Sequence, residues 1–385
     1  MKKLVFLLIV LSGVYQLNTL AQQNDNSTGE TLDPKSAGYY NSAVQSMKAE
    51  QYETTLKFLD SSLAITKDYR FYYLQGQANL KLGNTGAAIN SFNETVKLNA
   101  NYDNGWMALG NAHLANKDYD LAVNDFNKVI EVSKNEDSKS KAKESIDFAM
   151  NTKAIEYYNK GNELNKQGNL EDALKNYDQA ISISRDSKFY YQKGVVLTKL
   201  KKYKEAETEL KTAISLNENF DLGYVALGNV QTVNKDFDIA IQSYEKALTV
   251  TQNENLKSSI QESISKTYFA AGNAYYSDKK YDKAIESFNK AISVAPSDIS
   301  YLGLAKSYIE KKKYGEAITA LDSTKTLQKS VTDGAIAYYK GLVHLNKGED
   351  SKALEQFNIS VNDANYKKAS QSQIDYLKKK QSGKK

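Results

Sequence analysis

Apolar residues recur along this chain in pairs of short amphipathic stretches separated by polar turns, from residue 36 to residue 365. The clearest pair is residues 106–126, WMALGNAHLANKDYDLAVNDF. Trp106, Leu109, Gly110 and His113 fall at i, i+3, i+4 and i+7, one face of a helix, and Ala122, Phe126 and Val129 do the same on a second. The polar segment between them, residues 115–119, has room only for the turn of an antiparallel helical hairpin. Gly110 and Ala122 are small where the two helices approach, while Trp106 and Phe126 fill the space on either side. A single hairpin cannot bury both apolar faces, so the pattern demands neighbours stacked on it.

The neighbours are there. Aligned on the small residue of the second helix, nine copies start from Thr55, Ala88, Ala122, Ala173, Ala206, Ala240, Ala284, Ala317 and Ala353. Twelve residues before each lies Ala43, Gly76, Gly110, Gly161, Gly194, Gly228, Gly272, Ala305 and Gly341. Sixteen before lies Tyr39, Tyr72, Trp106, Tyr157, Tyr190, Tyr224, Tyr268, Tyr301 and Ala337, the one break in the column. Four after lies Leu59, Phe92, Phe126, Tyr177, Leu210, Tyr244, Phe288, Leu321 and Phe357. These columns predict an all-α fold of nine stacked helix pairs.

The order W-x2-L-G-x2-Y…A-x3-F resembles the tetratricopeptide repeat (TPR), a helix-turn-helix unit of 34 residues. The resemblance covers nearly everything after residue 35 and implies an α-solenoid, a right-handed superhelix of antiparallel helix pairs. Two features depart from the family pattern. The proline usual after the second helix survives only at Pro296, and the tyrosine column of the first helix only at Tyr275 and Tyr308.

A longer period lies over the short one. Repeats one to three map onto four to six by a shift of 118 residues, and ALGNAHLANKDYDLAV at 108–123 returns as ALGNVQTVNKDFDIAI at 226–241. The third triplet follows at shifts of 111 and 113, as expected if a three-repeat block was duplicated as a unit. Ala142, Ile146, Met150, Ala154 and Tyr157 form an apolar stripe running into repeat four, and Leu256, Ile260, Ile264, Tyr268 and Ala271 do the same before repeat seven. Each boundary should therefore carry a long helix. Tyr366, Ala369, Ile374 and Leu377 repeat that stripe with no repeat to feed, which predicts a terminal cap. The expected organisation is block 1 at 36–135, a linking helix and block 2 at 136–253, a linking helix and block 3 at 254–365, and a cap with a basic tail at 366–385.

Residues 1–21 read as a secretory signal peptide: Lys2 and Lys3, an apolar run from Leu4 to Leu11, and Thr19-Leu20-Ala21 as the cleavage site. The run is short for a membrane span, although an uncleaved anchor is the alternative. Without cysteine there is neither a lipid-attachment residue nor a disulfide. The expected product is exported, periplasmic or secreted, with residues 22–35 as a flexible polar leader. Lysines in the tail, including Lys378 and Lys379, suit contact with an anionic surface, or simply solvate a capping face.

The net charge of +5 on 385 residues gives no reason to expect nucleic acid. The two histidines, His113 and His344, occupy the same packing position in repeats three and nine and suit core packing better than metal ligation. The GxxxxGK[ST], HExxH and GxSxG motifs are all missing, so neither catalysis nor a metal or other cofactor is expected.

Binding is the expectation that remains. The resemblance implies a concave face lined by first helices, with ligand-facing residues at the second, fifth, ninth, twelfth and thirteenth positions of each repeat. The fifth supplies Tyr40, Tyr73, Tyr158, Tyr191, Phe269 and Tyr338, and the ninth Asn111, Asn162, Asn229 and Asn273. Asparagine can both donate to and accept from a ligand backbone, and tyrosine offers rigid amphipathic area. Alternatively, the tyrosines pack between neighbouring first helices and the asparagines are solvated. Some relatives hold a C-terminal carboxylate with lysines and asparagines over three repeats. Asn162 matches one position of such a clamp, but Tyr158, Gln192, Leu222 and Ala226 replace its other residues. The expected function is a scaffold for an envelope protein or peptide, with a glycan-binding module or a self-associating spacer as rivals.

Overall fold

The computed structural model describes residues 32–383; the proposed signal peptide, most of the leader, and Lys384 and Lys385 lie outside them. Among the described residues there are nineteen α-helices and no strand. The chain divides into two compact units, Met1–Lys153 and Ala154–Lys385.

In the first unit, α1 (Pro34–Lys48) pairs with α2 (Tyr52–Leu63), α3 (Tyr69–Lys81) with α4 (Thr85–Leu98), and α5 (Asp103–Ala115) with α6 (Tyr119–Val132). The 32-residue helix α7 (Glu136–Gln167) contributes to both units. In the second unit, α8 (Leu170–Ile183) is followed by the pairs α9 (Ser187–Lys199) and α10 (Tyr203–Leu216), α11 (Asp221–Val233) and α12 (Phe237–Val250), and α13 (Glu254–Ser277) and α14 (Tyr281–Val294). Two more pairs follow, α15 (Asp298–Glu310) with α16 (Tyr314–Thr326), and α17 (Asp333–Asn346) with α18 (Asp350–Ser360), before the closing helix α19 (Lys367–Ser382). Within each unit a second helix also touches the next first helix, and successive first helices lie side by side.

Six of the nine pairs are held together by an aromatic ring set into a hollow over a glycine, and the other three carry leucine in its place. A Cβ built on Gly110 would stand 2.6 Å from Phe126, and one on Gly228 2.7 Å from Tyr244. Those distances are too short for a side chain, so glycine is what lets the ring lie flat on the partner helix. Gly76, Gly161, Gly272 and Gly341 meet Phe92, Tyr177, Phe288 and Phe357 in the same way, and Gly194 meets Leu210. Ala122, Ala173, Ala206, Ala240, Ala284 and Ala353 are fully buried. Trp106 is fixed by its indole N–H, which donates to Ala100 O at 2.9 Å. We expect Gly228→Leu to destabilise the protein by about 2 kcal/mol through overpacking. An unchanged denaturation midpoint would remove Gly228 from the contact.

The turn inside every pair follows one rule that composition hides. Five residues before each small residue the backbone enters the left-handed region, at Gly83, Gly168 and Gly348, but also at Glu50 and five lysines, among them Lys117 (φ 69°) and Lys201 (φ 59°). The following N–H closes back on the first helix, as in Asp118 N–H to His113 O and Lys202 N–H to Leu197 O, both 2.9 Å. This closure satisfies carbonyls that the helix end leaves open. A side chain at positive φ costs about 1–2 kcal/mol, partly offset by the larger entropy glycine loses on folding. Lys201→Gly is therefore expected to stabilise by about 0.5–1 kcal/mol, and a lower urea midpoint would contradict it.

Two details differ from the sequence reading. Pro34 opens α1, with Asp33 Oδ1 accepting the N–H groups of Lys35 and Ser36 at 2.9 and 3.0 Å. A first-turn N–H has no helical partner, so proline fits there. That start also falls inside the leader drawn at 22–35. In α19 the buried stripe is Ser370, Ile374 and Leu377 rather than Ala369, which is exposed. Ser370 is drawn in because its hydroxyl donates to Ser360 Oγ at 2.8 Å.

Candidate functional site

The fifth-position aromatics do not form an open ladder. Tyr73 is only 8% exposed, its ring edge-on to Tyr102 at 5.3 Å and tilted against Phe92 at 5.9 Å. Tyr40 packs on Phe71 at 4.9 Å, Tyr158 on Phe189 at 5.0 Å, Tyr191 on Phe220 at 5.0 Å and Tyr338 on Tyr366 at 5.1 Å. Phe269 packs on Phe288 at 5.8 Å. The 40/71 and 73/102 pairs return as 158/189 and 191/220, so the 118-residue duplication copied the contact itself. Each tyrosine reaches an aromatic of the following segment, where a ring pair adds about 0.5–1.5 kcal/mol beyond the area it buries. Burial pushes the Tyr40 hydroxyl up to about 12 and raises those of Tyr73 and Tyr191. The tyrosines thus pack against the following segment, and Phe269 within its own helix pair; Tyr73 is buried by this packing, while the other five stay half-buried.

Two of the asparagines are also engaged. Asn162 Oδ1 accepts the Tyr177 hydroxyl at 2.8 Å and Asn229 Oδ1 accepts that of Tyr244 at 2.7 Å. In repeats three and seven the corresponding rings are Phe126 and Phe288, which have no hydroxyl to offer; there Asn111 is half-buried and Asn273 exposed. Asn229 remains exposed, and the tyrosine bond engages only its Oδ1. Asn111, Asn229 and Asn273 are thus the members of the predicted set with polar groups most available to a partner.

Both histidines have a carboxylate partner, which the sequence reading did not foresee. His113 Nδ1 lies 2.6 Å from Asp125 Oδ2 across the α5–α6 pair, and His344 Nδ1 lies 2.6 Å from Glu349 Oε2 beyond the end of α17. Burial pushes the Asp125 carboxyl up, against the pull of the His113 hydrogen bond. Lys347, with His344, holds Glu349 down at about 2. Among the described residues no group of three or more His, Cys, Asp and Glu could hold a metal ion.

Family models for the tetratricopeptide repeat match residues 73–137, 154–187, 187–220 and 265–298. The chain belongs to the tetratricopeptide-repeat family. A TPR repeat-containing protein of Methanocaldococcus jannaschii is 28% identical over 219 residues, covering 56% of this chain and 37% of that protein. The Hsp70-Hsp90 organizing protein of Triticum aestivum is 26% identical over 148 residues, covering 36% of this chain and 26% of that protein. The chain therefore spans little more than a third of the first of these relatives and about a quarter of the second. Of solved structures, the C-terminal part of a TPR repeat-containing protein from Cytophaga hutchinsonii covers 69% of this chain and 99% of its own, at 15% identity and a TM-score of 0.33. TPR proteins mediate protein–protein interactions.

Proposed function

We propose that this TPR chain is a non-catalytic scaffold that binds a partner protein after export, in the periplasm or outside the cell. The observation that carries the binding role is what remains at the first-helix positions once packing is accounted for. The columns fill the interior, yet Asn229 and Asn273 stay exposed, as do Leu222 and Val233. Exposed apolar and amide side chains recurring on one kind of helix suit a binding face. Export is supported by the basic start, apolar run and small-residue cleavage site at residues 1–21. Among the described residues no helix is long and apolar enough to cross a membrane.

Crosslinking in the native envelope, followed by identification of the captured species, tests the role. The control is an Asn229→Ala/Asn273→Ala variant, since altering the tyrosines would disturb the fold. Capture of one discrete protein, weakened in the variant, is the expected result. Recovery of peptidoglycan alone would overturn it in favour of glycan binding, a reading disfavoured by the ring surface already committed to packing. Mass measurement of the envelope-derived chain tests cleavage: loss of residues 1–21 is expected, and an intact first segment would favour the uncleaved anchor instead.

A further inference from the structure

Within the unit Ala154–Lys385, α11 carries an apolar stripe that is covered at its middle and open at both ends. Leu222 and Val233 are 42% and 51% exposed, Val225 and Ala226 are half-buried between them, and Asn229 is exposed on the same side. Residues 222, 225, 226, 229 and 233 share one helical face and run about 16 Å along it. The stripe is particular to this copy of the block: at the matching second and thirteenth positions of α5 stand Asn104 and Ala115.

Lysines stand on both sides of the stripe. Lys188 and Lys199 on α9 and Lys266 on α13 are exposed on the two neighbouring first helices. Lys199 Nζ donates to Asn165 Oδ1 at 2.7 Å, a neutral partner, while Lys266 pairs with Glu262 one turn back on its own helix. On the first helices of repeats four to seven, the second, fifth, sixth, ninth, twelfth and thirteenth positions hold no aspartate or glutamate. Burying the stripe under a neutral or basic segment would bring Lys188 and Lys199 close to the interface with no carboxylate bonded to them, whereas carboxylates flanking aliphatic side chains would satisfy both.

We propose that this face of α11 is the docking site for an acidic amphipathic helix of the partner. That helix would set aliphatic side chains at i, i+3 or i+4, and i+7 against Leu222, Val225 and Val233. Its carboxylates would meet Lys188, Lys199 and Lys266. The proposal rests on the scaffold reading and specifies which surface and which partner chemistry serve it.

The test uses the full chain and two synthetic fluorescent peptides of about 18 residues, five helical turns. Both carry leucine at the stripe spacing, one with glutamate and the other with lysine on the remaining faces. Fluorescence anisotropy should show the glutamate peptide binding at least about tenfold more tightly, ~1.4 kcal/mol, with the preference shrinking as salt rises. Leu222→Ser/Val233→Ser and, separately, Lys188→Glu/Lys199→Glu should each weaken it about tenfold, with unchanged helical circular dichroism and melting; the lysine variant, being all surface, keeps the test open if the first fails to fold. Equal affinity for the two peptides would overturn the proposal, as would binding indifferent to both variants. So would a wild-type dimer that Leu222→Ser/Val233→Ser makes monomeric, since a second copy would then cover the stripe. Envelope capture of the same discrete protein by both variants would remove the site from α11 while leaving the scaffold role standing. Capture of no protein by any form would remove the role itself.

Discussion

Phe126→Ala is expected to lower the unfolding free energy by about 3–5 kcal/mol, as for other buried phenylalanines cut back to alanine. Phe126 is fully buried in the first unit, among Ala122, Val129 and Ala142 with Trp106, Met107 and Ile146 at its edges. Its ring occupies the hollow over Gly110, so ring and glycine form one contact rather than two. That yields a sharper test than the loss alone. Gly110→Ala by itself forces a Cβ to 2.6 Å from the ring, but in the Phe126→Ala background the Cβ enters vacated space. The double variant should therefore be less destabilised than the sum of the single ones, and additive losses in urea denaturation would refute the coupling. Because each repeat leans only on its neighbours, amide exchange should accelerate first in α5 and α6.

Asp298→Ala is expected to cost about 3 kcal/mol for a different reason. Asp298 is 4% exposed, at the start of α15. Its Oδ2 accepts three backbone N–H groups, from Lys329 at 2.7 Å, Ser330 at 2.5 Å and Val331 at 2.9 Å, and its Oδ1 accepts that of Ile299 at 2.8 Å. Removing the carboxylate strands donors in the α16–α17 connection, and a buried donor without a partner costs about 1–3 kcal/mol. Burial pushes the Asp298 carboxyl up, but the four N–H bonds outweigh it and hold it below the usual carboxylate range. A carboxyl whose folded pKa lies below its unfolded value of about 4 contributes stability that is complete above that value. The contribution is lost as pH falls through the depressed folded value. Wild type should therefore exceed Asp298→Asn in stability at neutral pH, and the gap should close as pH falls below about 4. A gap independent of pH would show that the charge is not what the loop binds.

The two cases separate what was legible in the chain from what was not. The Phe126 contact could be read from spacing because both partners lie within one hairpin, sixteen residues apart, where helical period and turn length leave one way to close. Asp298 could not, since its partners stand 31 to 33 residues away in a connection without a periodic signal. The left-handed lysines were hidden for another reason. Lysine is no marker of positive φ, and only the common closure of the turn obliges Lys201 or Lys117 to adopt it.

The tyrosines mark the boundary most clearly. Helical period places Tyr73 and Tyr191 on the side of their helices between the interior and the open face, within about one residue, but it cannot choose between them. The choice depends on how far each first helix is rotated and shifted against the next, and that offset brings Tyr102 and Phe220 under the two rings. By itself, then, the sequence determined the all-helical stack, the pairing within hairpins and the small residues where helices meet, because those depend on contacts within some twenty residues. Only the tertiary structure decided which aromatics are packing and which side chains stay in solvent. A residue's exposure is set by the neighbouring repeat, and no local period contains that neighbour's position.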